Sequence, residues 1–243
     1  MIKTCKNCNK ILTKKQILKK GEFCCKGCAT SFRQKASDPN IFENENKDLV
    51  FYILGLIWSD GNLNKDLNKI SLTLKDLDLI QTLYPHFSDI NKRKIYSYNQ
   101  NGFESHTIIN TNKDFIKKLM EYGLIPCKSY DITFPNIPQN FFYSFIRGVF
   151  DGDGSVYIQN RYKNIKYLGV SIISANKMFL IPIQEILKTK KIDSNIIKDS
   201  RGSVYCLKIY RKESIKNFFN YIYKDSKYFL HRKKNVFIIN DIV

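Results

Sequence analysis

The chain has 243 residues and carries 40 Lys plus Arg against 22 Asp plus Glu, a formal net charge of +18. Apolar residues make up 43% and aromatic residues 14%, which excludes a disordered polycation, and the length suffices to bury a core without staples. A folded protein with this excess of positive charge meets a polyanion, and nucleic acid leads because each neutralised phosphate releases counterions. The longest apolar run, Leu49 to Trp58, is ten residues, about half a bilayer span, so no membrane partner is expected. Met1 to Cys5 contains no apolar export region. Seven cysteines, an odd number with five of them inside residues 5 to 28, fit metal binding in an intracellular, reducing compartment better than a disulfide framework.

Residues 1–36 are rich in Cys and Lys and read as a small zinc-binding module. Cys5-x2-Cys8 followed by FCCKGC offers two four-thiolate sets: Cys5, Cys8, Cys24 and Cys28, or the same set with Cys25 in place of Cys24. Either closes a tetrahedral Zn²⁺ site, and a segment this short would draw its folding energy from the metal. The string resembles small zinc knuckles of the form FCS-x-x-C, which implies that Cys24 is the ligand and Cys25 takes the Ser position. Lys10, Lys14, Lys15, Lys19, Lys20 and Lys26 surround the site and favour a DNA-contacting finger over a protein-contacting or purely structural knob. Cys127 and Cys206 stand alone and read as core or strand residues. SDPNIFENENK, residues 37–47, is polar and acidic and reads as a linker.

Past the linker the chain repeats itself. LGLIWSDG at 54–61 recurs as RGVFDGDG at 147–154, which sets Asp60 and Asp153 93 residues apart. KISLTLKDLDLI (69–80) matches GVSIISANKMFL (169–180), and NGFESHTIINTNKDFIKKL (101–119) matches RGSVYCLKIYRKESIKNFF (201–219). Each half reads helix, hairpin, helix, hairpin, helix, an α+β αββαββα unit. The first spans 48–134 and the second 135–243, with Pro126, Pro135 and Pro138 around the join.

Leu49 to Trp58 and most of Phe141 to Phe150 are apolar on every face, so both helices must be buried nearly all round. Gly55 and Gly148 lie inside them, where Gly costs about 1 kcal/mol relative to Ala, and their presence in both copies points to close backbone approach of two helices. Side-by-side packing would bring Asp60 and Asp153 together at two helix C-termini, where mutual repulsion and the helix dipoles both disfavour anions. A divalent cation resolves the conflict, and oxygen-only ligation suits Mg²⁺. A hairpin turn is the plain alternative for each Asp-Gly, and a calcium loop for DGDGS lacks its further acids.

Both segments resemble the LAGLIDADG motif of homing endonucleases, in its apolar helix, packing glycine and final acid-Gly pair. The resemblance extends over residues 48–243, including FPNIP before the second copy and LHRKK near the end. It implies a monomeric, pseudo-two-fold fold, with Asp60 and Asp153 as metal ligands assisted by the backbone carbonyls of Ser59 and Gly152. It also implies a basic residue near each metal, matched by repeat position to Lys128 and Lys233, and cleavage of a long asymmetric double-stranded DNA site across the minor groove to leave short 3′ overhangs. The sixth motif position is Asp151 in one copy and Trp58 in the other, which reads as asymmetric packing at the helix ends.

A β-ribbon fits the major groove, and the hairpins would form a saddle on duplex DNA. Candidate contacts are Lys65, Lys69, Lys92, Arg93, Lys94, Tyr96, Tyr98 and Gln100 in the first half. The second half offers Tyr157, Gln159, Arg161, Lys163, Lys166, Lys198, Arg201, Lys208 and Arg211. The resemblance thus implies a Mg²⁺-dependent DNA endonuclease. The other class the resemblance allows is a non-cleaving binder, an intron RNA maturase or a DNA-binding regulator; such proteins often lose one or both acids, and both stand here. A His-dependent nuclease is disfavoured because His86, His106 and His231 lack ligand spacing.

Overall fold

In the computed structural model, residues 3–18, 21–37, 41–87, 94–161, 165–199 and 202–240 are described. The chain begins with α1 (Lys14–Leu18) and α2 (Lys26–Ser37). A first half follows: α3 (Lys47–Asp60), β1 (Gly61–Leu63), β2 (Ile70–Leu74), α4 (Leu77–Phe87), β3 (Tyr96–Gln100), β4 (Phe103–Asn110) and α5 (Lys113–Glu121). The second half is α6 (Phe142–Asp153), β5 (Gly154–Arg161), β6 (Ile165–Ser174), α7 (Lys177–Thr189), β7 (Asn195–Lys198), β8 (Tyr205–Ile209) and α8 (Lys212–Tyr223). Each half is αββαββα, as the repeat predicts, and α9 (His231–Ile239) is added after the second.

The centre of the molecule is the pair α3 and α6. Every residue from Leu49 to Trp58 is buried, as is every residue from Ser144 to Asp151. The two backbones touch through the motif glycines. A Cβ on Gly55 would overlap the Phe145 carbonyl oxygen and lie 2.9 Å from Gly148 Cα, and a Cβ on Gly148 would overlap the Tyr52 carbonyl oxygen. The propensity cost of glycine in a helix is offset by the backbone dispersion contact it permits.

At the opposite end from the acids, Asn46 caps α3 by accepting from the Leu49 N–H at 3.3 Å. Asp48 in the first turn faces the positive helix end. It also accepts from the buried Arg147 Nη2 at 2.8 and 2.9 Å and from Ser144 Oγ at 2.5 Å, so a charge pair ties the halves together. Arg147 Nη1 donates to the Ile222 carbonyl at 3.1 Å, and the guanidinium lies 5.0 Å from the Tyr52 ring centre.

The strands form two antiparallel sheets, ordered β1-β2-β4-β3 and β5-β6-β8-β7. Alternation fixes their faces. Leu63, Ile70, Leu72 and Ile108 in one sheet, and Val170, Ile172, Leu207 and Ile209 in the other, are buried, with Leu72 paired to Ile108 and Ile172 to Leu207. A one-residue slip would turn these side chains outward. Helices cover that face with matching stripes: Leu79, Ile80, Leu83 and Phe87 on α4, and Phe179, Leu180, Ile183 and Leu187 on α7. The other, open face of each sheet carries exposed side chains among the described residues, such as Tyr98, Phe103 and Ile173.

Within the stretch read as a linker, Ile41 is buried in the core, and Phe42 stacks on Tyr122 with ring centres 5.5 Å apart. Two sequence expectations need correction. Cys206 is buried on β8, but Cys127 is exposed in the loop after α5 with a φ of 55°, so it is neither core nor strand. Lys65 and Lys69 lie in the loop joining β1 to β2 and not on a strand, because Asn64 closes a turn there by accepting from the N–H groups of Asn68 and Lys69. No helix among the described residues is long and apolar enough to cross a membrane.

Candidate active site

Asp60 is the last residue of α3 and Asp153 the last of α6. The glycine contact brings these ends together: a Cβ on Gly152 would overlap Ser59 Oγ and Asp60 Oδ2. Both acids are half-buried. Asp153 accepts no hydrogen bond from any described residue, and Asp60 receives only Ser59 Oγ at 3.4 Å. Burial, followed by repulsion from Asp60, pushes the Asp153 carboxyl up to about 6. Burial also raises Asp60, against the opposing charges of Lys233, Lys128 and Arg232 and the Ser59 hydroxyl.

The two lysines matched by repeat position arrive at these helix ends. Lys128 Nζ donates to the carbonyls of Ser59 at 3.0 Å and Gly61 at 2.6 Å. Lys233 Nζ donates to those of Phe150, Asp151 and Gly152 at 2.8, 2.7 and 3.0 Å. Each caps carbonyls that the end of a helix leaves without partners. The Ser59 and Gly152 carbonyls each keep a second lone pair, so lysine capping leaves both able to act as ligands. Burial lowers Lys233 to about 8, with Asp151 the strongest opposing charge, and lowers Lys128, opposed by Asp153 and then Asp60. The charges therefore cross: each lysine caps the helix of its own half, while Asp153 is the carboxylate felt most strongly at Lys128 and Lys233 the cation felt most strongly at Asp60.

The sixth motif position holds the lysine-bearing segments in two chemically different ways. Trp58 Nε1 donates to the Thr133 carbonyl at 3.0 Å. Asp151, fully buried, accepts from the Leu230 N–H at 2.8 Å, the Tyr52 hydroxyl at 2.8 Å and the Tyr223 hydroxyl at 2.5 Å. Sequence reasoning missed Tyr52 and Tyr223, which sit in apolar runs without a spacing signal. It also missed the pair Arg232 and Asp76, whose Nε-to-carboxylate contacts are 2.9 and 3.1 Å. The signal for that pair lies in the repeat alignment, which sets Asp76 against Asn176 and Arg232 beside Lys233.

The strand candidates divide. Tyr96, Tyr98 and Gln100 share the open face of the first sheet, paired with Thr107, Ser105 and Phe103. Phe103, 67% exposed with Lys75 5.2 Å from its ring centre, belongs with them and was not predicted. Lys94 lies just before β3, 5.5 Å from the Tyr96 ring centre. In the second sheet Lys208 is on the open face, opposite Ser171 and Asn195. Lys198 pairs with Tyr205, on the helix-covered register, and so is not brought to Lys208. The Tyr157 ring lies over Gly169, where a Cβ would meet its Cε2 at 2.6 Å, so it is packed along the sheet instead of projecting from it. Arg211 stands at the residue before α8 without a capping side-chain hydrogen bond and pairs with Asp193 at 2.6 Å. Lys92, Arg93, Lys163 and Arg201 lie outside the described residues, as do the side chains of Gln159, Arg161 and Lys166.

In the N-terminal module the Sγ atoms of Cys5, Cys8, Cys24 and Cys28 all lie within 4.8 Å of one another, with Cys8 to Cys24 at 3.6 Å and Cys24 to Cys28 at 3.4 Å. Sulfurs around a tetrahedral metal with bonds of about 2.3 Å are separated by about 3.8 Å, so this set fits one. Cys25 is outside it; its Sγ accepts from the Cys28 N–H at 3.3 Å.

Two four-stranded sheets on a glycine-packed pair of acid-ended helices define the duplicated α+β LAGLIDADG fold. Residues 143–223 match the family model described as a LAGLIDADG-like domain. Variants of the homing endonuclease I-DmoI superpose with a TM-score of 0.50 at 19% identity, covering 77% of this chain and 98% of theirs. The N-terminal LAGLIDADG domain of DUF199/WhiA gives 0.50 at 19% identity, covering 87% and 96%. A point mutant of I-SmaMI gives 0.50 at 15% identity, covering 79% and 92%. No curated protein sequence matches.

Proposed function

We propose that the chain is a site-specific DNA endonuclease, a monomer that hydrolyses both strands of a long asymmetric duplex with Mg²⁺. The observation that carries this reading is the pair Asp60 and Asp153: two half-buried carboxylates at adjoining helix ends, one of them without a hydrogen-bond donor among the described residues and with its carboxyl pushed up to about 6. A hard cation relieves that arrangement, and the donor set of two carboxylates with the Ser59 and Gly152 carbonyls is all oxygen. When bound, the metal supplies Lewis-acid activation at the scissile phosphates. The chain supplies the rest. Lys128 and Lys233 hold positive charge where negative charge develops at phosphorus, and Trp58 and Asp151 fix the segments that carry them. The open sheet faces supply the duplex contacts.

The fold is shared by the homing endonuclease I-DmoI and by the N-terminal LAGLIDADG domain of WhiA, so the fold alone does not carry the cleavage reading; the presence of both acids supports it. Cys5, Cys8, Cys24 and Cys28 hold Zn²⁺ in a module spanning 1–36, joined through 37–47 to repeats 48–134 and 135–243, and a thiolate metal site of this kind fits an intracellular location. Asp60→Asn and Asp153→Asn are each expected to abolish double-strand cleavage while keeping DNA binding. Full cleavage by either variant overturns the metal assignment.

A further inference from the structure

The two halves of the site differ in their basic groups. Arg232 stands in the first turn of α9 beside Lys233, with its side chain 57% exposed, and Asp76 is 18% exposed at the corner between β2 and α4. The pair crosses from the last helix to the first half of the chain and brings a guanidinium whose charge acts on Asp60. Asp76 occupies Nε, and neither Nη group has a hydrogen-bond partner among the described residues. A guanidinium pinned at Nε presents its Nη groups as a fork suited to phosphate oxygens. The equivalent position in the first half, one residue before Lys128, is Cys127. Asp76 is matched there by Asn176, which donates to the Ile132 carbonyl at 2.9 Å. The cavity beside Asp153, of about 210 Å³, has Lys128 as the only cation among its described lining residues.

We infer that Arg232 is a phosphate-binding residue of the Asp60 half, held in position by Asp76 and absent from the Asp153 half, so that the two DNA strands are cut at unequal rates. The ligand is a backbone phosphate of duplex DNA, and the inference rests on the endonuclease reading above.

The test uses the full chain and a duplex recovered by cleavage selection, with the two strands separately end-labelled. Wild type is expected to cut one strand first. Arg232→Ala is expected to slow that strand about tenfold or more and leave the other within about twofold, with Arg232→Lys restoring part of the rate. Asp76→Asn is expected to give a smaller loss on the same strand. In metal-free binding to the same duplex, Arg232→Ala is expected to reduce the slope of log affinity against log salt by about one. Unchanged melting of Arg232→Ala separates these effects from misfolding. Equal slowing of both strands, or of neither, overturns the inference and leaves the endonuclease reading standing. A selection in which the wild type yields no cleaved duplex with Mg²⁺ overturns both.

Discussion

Removing the charge of Asp153 is expected to stabilise the metal-free protein while destroying its activity. Its carboxyl is raised from the ordinary 3.8 to about 6, first by burial and then by Asp60. The folded chain therefore holds a proton on Asp153 that the unfolded chain releases, so stability falls as pH rises through the window from about 4 to 6. Above that window the charged form costs about 3 kcal/mol, at about 1.4 kcal/mol for each tenfold change in acidity. Asp153→Asn keeps the shape and removes the charge. In EDTA at pH 7 it is expected to melt roughly 6 to 12 °C above wild type, taking about 2 to 4 °C per kcal/mol for a chain of this size. At pH 4.5, where most of the penalty is gone, the gain is expected to shrink to about 1 kcal/mol. Added Mg²⁺ is expected to raise the melting temperature of wild type and not that of the variant. Scanning calorimetry at the two pH values measures this, and a variant no more stable than wild type at pH 7, or equally stabilised at both, refutes the reasoning.

Gly148→Ala drives a methyl into the Tyr52 carbonyl and to 2.8 Å from the Leu56 nitrogen, and is expected to cost about 3 kcal/mol in denaturant titrations. Gly202→Ala, with nothing within 4 Å, is expected to be neutral. Cys24→Ser is expected to lose bound zinc while Cys25→Ser keeps one equivalent by metal analysis; the reverse result moves the ligand to Cys25. Lys233→Met removes the ammonium that donates to three carbonyls at the end of α6 and is expected to lower cleavage by about a hundredfold with DNA binding kept. Unchanged cleavage rates would remove Lys233 from the site.

The acids were legible because the motif occurs twice and each copy carries its own packing glycine, so chain order alone placed Asp60 and Asp153 at the same end of a helix pair. Lys128 and Lys233 followed from the family resemblance, which implies a basic residue near each metal, together with their positions in the repeat. Tyr52 and Tyr223 were not legible: they reach Asp151 from 99 and 72 residues away, out of apolar stretches where a tyrosine reads as core. The faces of Lys198 and Lys208 depend on strand register, which is set by Ile196 and Leu207 pairing under α7, a tertiary choice that a lysine count does not contain. Cys127 was misplaced because its left-handed backbone belongs to the turn that carries Lys128 back to the end of α3; Pro126 marks a break there, but a cysteine is not a residue type that signals a positive φ.

The most direct test of the account is cleavage selection from a randomised or genomic duplex library by the full chain, with Mg²⁺ and with EDTA. The expected result is one long asymmetric site, cut on both strands with Mg²⁺, uncut in EDTA, and uncut as a duplex by Asp60→Asn and Asp153→Asn. Tight binding to a selected site with no Mg²⁺-dependent break in either strand would contradict it and make the protein a binder built on the same fold.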